Sequence, residues 1–465
     1  MVSQTPGDAA ALMGELPHEI EELGRRFEAG GHELYLVGGS VRDAILTTPH
    51  ADFDLTTDAR PEEIIKLIRG WAQYRYLVGA RFGTVGARRE DVTVEITTFR
   101  KEIYPDADSR HPNVTYADDI ETDLSRRDFT INAMAVSLPE RRFVDPFRGL
   151  KDLADKRLRT PLDPEISFTD DPLRMLRAAR FVATLGVAPE RELVEAITRL
   201  RDRLSIVSAE RIRDELSKLL VGQHAGAGLT LAVETGVADL FLPELPALKL
   251  EQDPVHRHKD VLAHTLAVVE RCEPRVVLRL AALMHDIGKP KTREITPEGV
   301  QFHHHDVEGA RMAEERLRAL RFPERIVRDV SKLVEMHLRF HTYRLGWSDG
   351  ALRRYVRDAG ELLDALNQLT RADCTTQNVA KAKKLTGLQD ELEERIARLA
   401  EEENLSRIRP PLDGTKVMEH LGIGPGPEVG QALEHLLELR LERGPIDEEE
   451  ALRLLDEWWA ERGDG

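Results

Sequence analysis

The stretch "YLVGGSVRDAILTTPHADFDLTT", residues 35–57, runs a hydrophobic strand into a double glycine, then a short helical segment, then two aspartates one residue apart. Side chains of a strand alternate faces, so Asp52 and Asp54 project together while Phe53 and Leu55 point into the core. Two carboxylates on one face raise each other's pKa unless a cation stands between them. Oxygen-only ligands suit a hard divalent cation, Mg2+ above all. Two such ions can activate a hydroxyl nucleophile and neutralise a leaving pyrophosphate. The Gly38-Gly39-Ser40 turn opens a helix whose first N–H groups can receive phosphate oxygens, with Arg42 just inside it. The other reading of these residues is an ordinary strand-to-helix turn followed by a solvated Asp-x-Asp.

Working outward, residues 18–30 read as a leading helix closed by Gly30-Gly31. Strand patterns cover 33–39, 52–57, 76–89 and 92–99, with "REDV" as a hairpin turn and a helix over 59–72. On the strand "VTVEITTF", Val92, Val94 and Ile96 face the core, so Glu95 shares the other face with Thr93 and Thr97. It reads as a third carboxylate or as a solvated strand glutamate. The segment 100–118, rich in Pro, Asp and Asn, reads as a mobile loop. A mixed α+β head of four or five short strands ends near residue 150, and from about 165 nearly everything has helical periodicity.

At 465 residues the chain is too long for one core. Apolar residues make up 41% and charged residues 32%, as in folded soluble proteins. No apolar run approaches the roughly 20 residues of a membrane span. The first residues lack a basic segment followed by an apolar one. Cys272 and Cys374 are the two cysteines, which argues against a disulfide framework. The expected home is the cytoplasm. A net charge of −17 does not exclude RNA, because binding needs a local basic face, and arginines cluster in "SRRDF", "DPLRMLRAARF" and "LRRYVR".

"LVGGSVRD" followed by "DFD" resembles the nucleotidyltransferase head of the class II tRNA nucleotidyltransferase and bacterial poly(A) polymerase family. The resemblance implies that Asp52 and Asp54 hold catalytic Mg2+ and that Gly39 and Arg42 contact the nucleoside triphosphate. "SRRDFTINAMA" (125–135) resembles the family's RRD segment, which implies Arg127 on the triphosphate and Asp128 on the ribose. A helix start capped by Ser125 is the local alternative. In "DDPLRMLRAARF" (170–181), Asp171, Arg174, Arg177 and Arg180 follow one another at helical i, i+3 spacing. A carboxylate and a guanidinium side by side offer an acceptor for the amine of C or A and donors for the neighbouring ring positions, a pattern neither G nor U fits. The resemblance assigns that choice to Asp171 and Arg174, leaving Arg177 and Arg180 for phosphates. Asp171 before Pro172 is also a good helix cap.

A histidine-rich block from about 250 to 345 resembles the HD phosphohydrolase domain, with matching positions His264, His285, Asp286, His305, His337 and Asp373. Imidazoles with carboxylates suit a divalent transition metal. His303 and His304 compete with His305 for its position. Such a domain is either a working phosphohydrolase or a body that supports RNA.

The expected organisation is a nucleotidyltransferase head (1–155), a helical neck (156–245), an HD body (246–375) and a helical tail (376–465). The expected activity is addition of C, C and A to tRNA 3′ ends from CTP and ATP. The alternatives are a poly(A) polymerase, a CC-only or A-only enzyme, or an HD phosphohydrolase with an RNA-binding head. No membrane partner is expected, and the sequence leaves the oligomeric state open.

Overall fold

The computed structural model describes residues 16–47, 52–77, 83–103, 113–249, 260–296, 299–343, 346–374, 379–403 and 408–463. The chain divides into two compact units, Met1–Pro246 and Ala247–Gly465.

In the first unit, helix α1 (His18–Ala29) buries Ile20, Leu23 and Phe27. It stops at Gly30, and Gly31 takes the positive φ of 77° that a glycine adopts without strain. Strand β1 (Leu34–Val37) is buried along its whole length and leads through Gly38 into α2 (Gly39–Ile45). Next come β2 (Asp52–Thr57), α3 (Pro61–Leu67), β3 (Tyr74–Tyr76), β4 (Thr84–Arg89) and β5 (Val92–Thr98). The segment read as a mobile loop has paired ends. β6 (Arg100–Ile103) and β7 (Asn113–Tyr116) form an antiparallel ribbon, and residues 104–112 lie outside the described residues.

Helix α4 (Ile120–Ser125) is capped by Asp119, whose carboxylate accepts from Thr122 N–H. Ser125 therefore ends a helix rather than starting one, and its hydroxyl donates back to the Thr122 carbonyl at 2.8 Å. Strands β8 (Ala135–Leu138) and β9 (Phe143–Val144) follow. They bring the main sheet to seven strands, in the order β3-β4-β5-β2-β1-β8-β9, where four or five were expected. β8 escaped the pattern reading because it is buried on both faces and so lacks alternation. The β2–β5 pair is parallel and its neighbours are antiparallel, so the sheet is mixed.

Helix α5 (Gly149–Ala154) packs against the 3-10 turn Thr130–Asn132. A Cβ on Gly149 would stand 2.1 Å from the Thr130 carbonyl oxygen, so only glycine permits that approach. The remainder of the unit is helical apart from a short parallel pair of β10 (Arg157–Leu158) and β11 (Ala188–Pro189). Its helices are α6 (Pro164–Asp170), α7 (Leu173–Leu185), α8 (Arg191–Leu200), α9 (Ala209–Leu220) and α10 (Ala225–Glu234). Phe129 meets Phe181 of α7 edge to face at 5.5 Å, tying the RRD segment to that helix.

In the second unit, α11 (Val261–Arg271) and α12 (Val276–Met284) precede a hairpin of β12 (Arg293–Thr296) and β13 (Gly299–Phe302). The sequence had suggested only a helix break there. Helices α13 (His305–Ala319), α14 (Glu324–Met336), α15 (Arg339–Tyr343), α16 (Asp349–Ala359), α17 (Leu363–Asp373) and α18 (Val379–Glu403) continue the unit, and α19 (Gly414–Leu421), α20 (Pro427–Arg443) and α21 (Glu448–Gly463) end it. The last three share a small core of Val417, Ala432, Leu436, Ala451 and Leu455. Buried Arg353 of α16 holds them to the rest through Glu403 (2.9 and 2.6 Å) and the Leu441 carbonyl (3.0 Å). Among the described residues no helix is long and apolar enough to cross a membrane.

Candidate functional site

The burial pattern of β2 alternates as the aspartates require: Asp52 and Asp54 are exposed, Phe53 and Leu55 buried. Glu95 is the exposed member of β5 and lies opposite Asp54 in the parallel register, with Thr93 opposite Asp52. Ser40, buried at the start of α2, accepts from Asp54 N–H at 3.0 Å and donates to the Asp52 carbonyl at 3.5 Å. It locks the glycine turn against the strand that carries the aspartates. Partial burial, then Asp54 and Asp52, push the Glu95 carboxyl above the usual carboxylate range. Three carboxylates on one face are a donor set that fits a hard divalent cation.

Beside this row, Gly38 adopts φ 69°, and a Cβ there would stand 2.7 Å from Arg127 Nη1. The glycine gives Arg127 its place over the turn. Arg127 is held from behind by Asp123, fully buried, at 3.2 Å, and its Nε is a buried donor with no partner among the described residues. Arg42 donates to Asn132 Oδ1 at 2.6 Å and to Asp43, while Asn132 Nδ2 donates to Asp128 at 2.9 Å. Arg42 and Asp128 are thus linked through Asn132, and Arg127 stands over Gly38 beside the N-terminus of α2, where unsatisfied N–H groups favour an anion.

Of the four residues expected in one ridge, Arg174, Arg177 and Arg180 lie on α7 and Asp171 lies before it. Asp171 precedes the helix in an extended conformation and accepts from Leu173 N–H at 3.2 Å. Its other oxygen pairs with Arg211 at 3.0 Å, not with Arg174. Arg174 is buried and donates to Ser167 Oγ at 2.8 Å and to the Arg126 carbonyl. Arg177 donates twice to Asp128, once at 2.9 Å through Nε, and also reaches Glu215 at 3.3 Å. Arg180 lies 3.0 Å from Glu215 and over the Phe181 ring. Burial, then its neighbour Arg177, lowers Arg180 to about 10. Burial opposes the Asp128 charge, but Arg177 and Asn132 outweigh it and hold the carboxyl well below its ordinary range. Glu215, Asn132, Asp123 and Ser40 are residues the sequence reading missed. Each is a buried polar residue that touches an expected site residue from behind, which no local pattern reveals.

In the second unit the six expected residues converge. Among the described residues, His264, His285 and Asp286 form one group whose ligand atoms lie within 4.8 Å of one another, and Asp286, His305 and His337 form another. Among the described residues the head carboxylates form no such group. His264 Nε2 lies 2.9 Å from Asp373 and 3.3 Å from His285 Nε2. His285, His305 and His337 each donate Nδ1–H to the carbonyl three residues before, at 2.7, 2.8 and 2.6 Å. That fixes the ring orientation and points every Nε2 inward. The Nε2 atoms of His305 and His337 are buried with no hydrogen-bond partner among the described residues. Those orphaned acceptors, beside the buried Asp286 carboxylate, fit a divalent transition metal. Burial and then His285 lower His337 to about 4. For His285, burial opposes charge, but Asp286 and Asp373 outweigh it and push it up to about 10. His303 is exposed and bonded to Gln301, and His304 is an exposed helix cap, so His305 takes the cluster position. Lys289, which the sequence reading passed over, pairs with Asp286 at 2.7 Å.

A strand-borne carboxylate row beside a basic glycine turn at a helix N-terminus, on a chain that also carries a histidine–aspartate cluster, defines a nucleotidyltransferase joined to an HD-type body. Three family models match in that order: the "Poly A polymerase head domain" over residues 34–159, the "Probable RNA and SrmB- binding site of polymerase A" over 186–248, and the "HD domain" over 261–402. The A-adding tRNA nucleotidyltransferase of Deinococcus radiodurans is 33% identical over 445 residues, 92% of this chain and 96% of that one. The CC-adding tRNA nucleotidyltransferase of Thermus thermophilus is 32% identical over 452 residues, 92% and 94% of the two chains. Among solved structures, the Bacillus stearothermophilus CCA-adding enzyme in complex with CTP superposes with a TM-score of 0.70 at 25% identity, covering 97% of this chain and all of that one. The chain belongs to the tRNA nucleotidyltransferase family. Nucleotidyltransferase and HD families in general use divalent metals.

Proposed function

We propose that the protein adds C, C and A to the 3′ ends of tRNA, one nucleotide at a time, from CTP and ATP. The observation that carries the reading is the shared face of Asp52, Asp54 and Glu95 directly beside the Gly38–Arg42–Arg127 cradle. Mg2+ held by the three carboxylates would lower the pKa of the attacking hydroxyl and neutralise charge on the leaving group. Arg127 and the first N–H groups of α2 hold the triphosphate, and Arg42, oriented by Asn132, closes its other side. The RNA 3′-hydroxyl oxygen bonds to the α-phosphorus, its proton leaves to solvent, and the α–β bridging bond breaks to release pyrophosphate. Asp171, with Arg174 fixed behind it, selects the base from the neck, and Arg177 and Arg180 bring positive charge to the same wall. A cytoplasmic location follows from a tRNA substrate.

We read residues 1–155 as head, 156–245 as neck, 246–375 as HD body and 376–465 as tail. In the body, His264, His285, Asp286, His305, His337 and Asp373 are read as ligands of a divalent transition metal serving phosphate-ester hydrolysis.

A second reading has specific support: two relatives matched over nearly their whole length bear the names A-adding and CC-adding. One experiment separates the two. Transcripts ending before the CCA, after C and after CC are incubated with Mg2+ and labelled CTP, ATP or both, and resolved at single nucleotides. Addition that stops at a complete CCA supports the first reading. CC alone or A alone supports the second, and a long A ladder would make the protein a poly(A) polymerase. No incorporation with any transcript would overturn both.

A further inference from the structure

The sheet register aligns more than the carboxylates. Across β2, β5, β4 and β3, one row runs Asp54, Glu95, Gly86, Tyr76, and the next runs Asp52, Thr93, Arg88, Tyr74. Directly paired residues of neighbouring strands share a face. Tyr74, Tyr76 and Arg88 therefore stand on the same face as the carboxylates. Strands lie about 4.8 Å apart, so Tyr76 is roughly 14 Å from Asp54 along its row.

The two tyrosines are 63% and 51% exposed, and all three residues of β3 are exposed. Aromatic residues suit strands, which accounts for tyrosine on β3 but not for two of them uncovered in line with a catalytic row. Gly86 is the one member of its row without a side chain. The Tyr76 side chain leans over it: a Cβ there would stand 3.2 Å from Tyr76 Cβ and 3.5 Å from its ring atom Cδ2, so the glycine lets that ring lie along the row. Arg88 is exposed, with Nε bonded to the Glu90 carbonyl at 3.0 Å.

The direction of the reaction says what occupies this face. The phosphate cradle of Gly38, Arg42 and Arg127 follows β1, on one side of β2. In an in-line displacement the nucleophile enters opposite the leaving group. The RNA 3′ end must then reach the carboxylates from the other side, over β5, β4 and β3. Unpaired nucleotides are held by aromatic faces that stack on bases and by cations that meet the backbone. Resting on the nucleotidyl-transfer reading above, we infer that Tyr74, Tyr76 and Arg88 form a stacking platform for the unpaired 3′-terminal nucleotides of the acceptor RNA. At the roughly 3.4 Å rise of a stacked strand, the platform meets bases about three to four residues behind the reacting hydroxyl.

The test is binding, measured without nucleotide. Two RNA hairpins, one with a four-nucleotide unpaired 3′ tail and one blunt, are titrated into the full chain and into Y74A/Y76A and Y74F/Y76F variants. Loss of stacking should weaken the tailed hairpin about 10- to 100-fold in the alanine variant. Binding of the blunt hairpin should not change, and the phenylalanine variant should bind the tail as the parent does. In turnover, the alanine variant should raise KM for RNA without raising KM for CTP. Unchanged tail binding in the alanine variant overturns the platform, and so does equal weakening of both hairpins. Tail-specific binding in a protein that incorporates no nucleotide would overturn the transferase reading and leave the platform standing.

Discussion

The Arg177 guanidinium is doubly hydrogen-bonded to the Asp128 carboxylate, joining α7 to the RRD segment. With Phe129 N–H at 2.8 Å and Asn132 Nδ2 on its other oxygen, Asp128 is fully engaged as an acceptor. It positions the residues around a ligand before the ligand arrives, whatever it later offers to a ribose.

Replacing Asp128 by Asn would leave Arg177 short of a buried counter-charge and should cost about 2–3 kcal/mol of folding stability, read by urea denaturation. The folded carboxyl is depressed, so its contribution is fully present above the unfolded value near 4 and is lost as pH falls below it. The Asn variant should therefore show a flatter acid limb between about pH 5 and 2.

Glu95 carries the opposite sign. Its folded pKa is raised, so its ionised form is disfavoured in the folded protein and stability falls as pH rises through that value. Glu95→Gln should remove that slope, and Mg2+ should raise the Tm of the parent more than that of the variant. Asp54→Ala should lower nucleotide incorporation by about a hundredfold to a thousandfold or more, because charge in the transition state goes unmatched.

Asp171→Ala separates base choice from stability. Its ion pair with Arg211 is partly solvated (22% and 54% exposed) and contributes little, so the substitution should cost about 1–2 kcal/mol, mainly for the lost bond to Leu173 N–H. Discrimination of CTP and ATP against UTP and GTP should fall by about 5- to 150-fold, measured as ratios of kcat/KM.

His285→Ala should reduce transition-metal retention by at least about 100-fold, read by metal analysis of the purified protein. Hydrolysis of phosphate esters should fall with it, while nucleotide incorporation by the head continues.

Much was legible because it is local. The alternation of Asp52, Phe53, Asp54 and Leu55 and the positive-φ glycine before α2 depend on near neighbours in the chain, so pattern alone finds them. The histidines and aspartates of the HD cluster were found through their order along the chain. Their convergence comes from α11, α12, α13, α14 and α17 packing together. The reading failed where long-range packing decides. Ser125 has the composition of a cap, yet Asp119 begins the helix and Ser125 ends it. β8 and β9 show no usable period, and the ends of the supposed loop pair with each other.

The sequence by itself determined the chemistry available: carboxylates on one strand face, a glycine turn before a helix, arginines at helical spacing and six metal-type ligands. Periodicity and turn geometry act over a few residues, so one chain suffices to read them. The tertiary structure alone decided the partners: Arg174 with Ser167, Arg177 with Asp128 and Glu215, and Asp171 with Arg211. The physical reason is burial. A charge removed from water must find its counter-charge wherever the fold brings one, and that neighbour can lie 49 residues away along the chain, as Asp128 lies from Arg177.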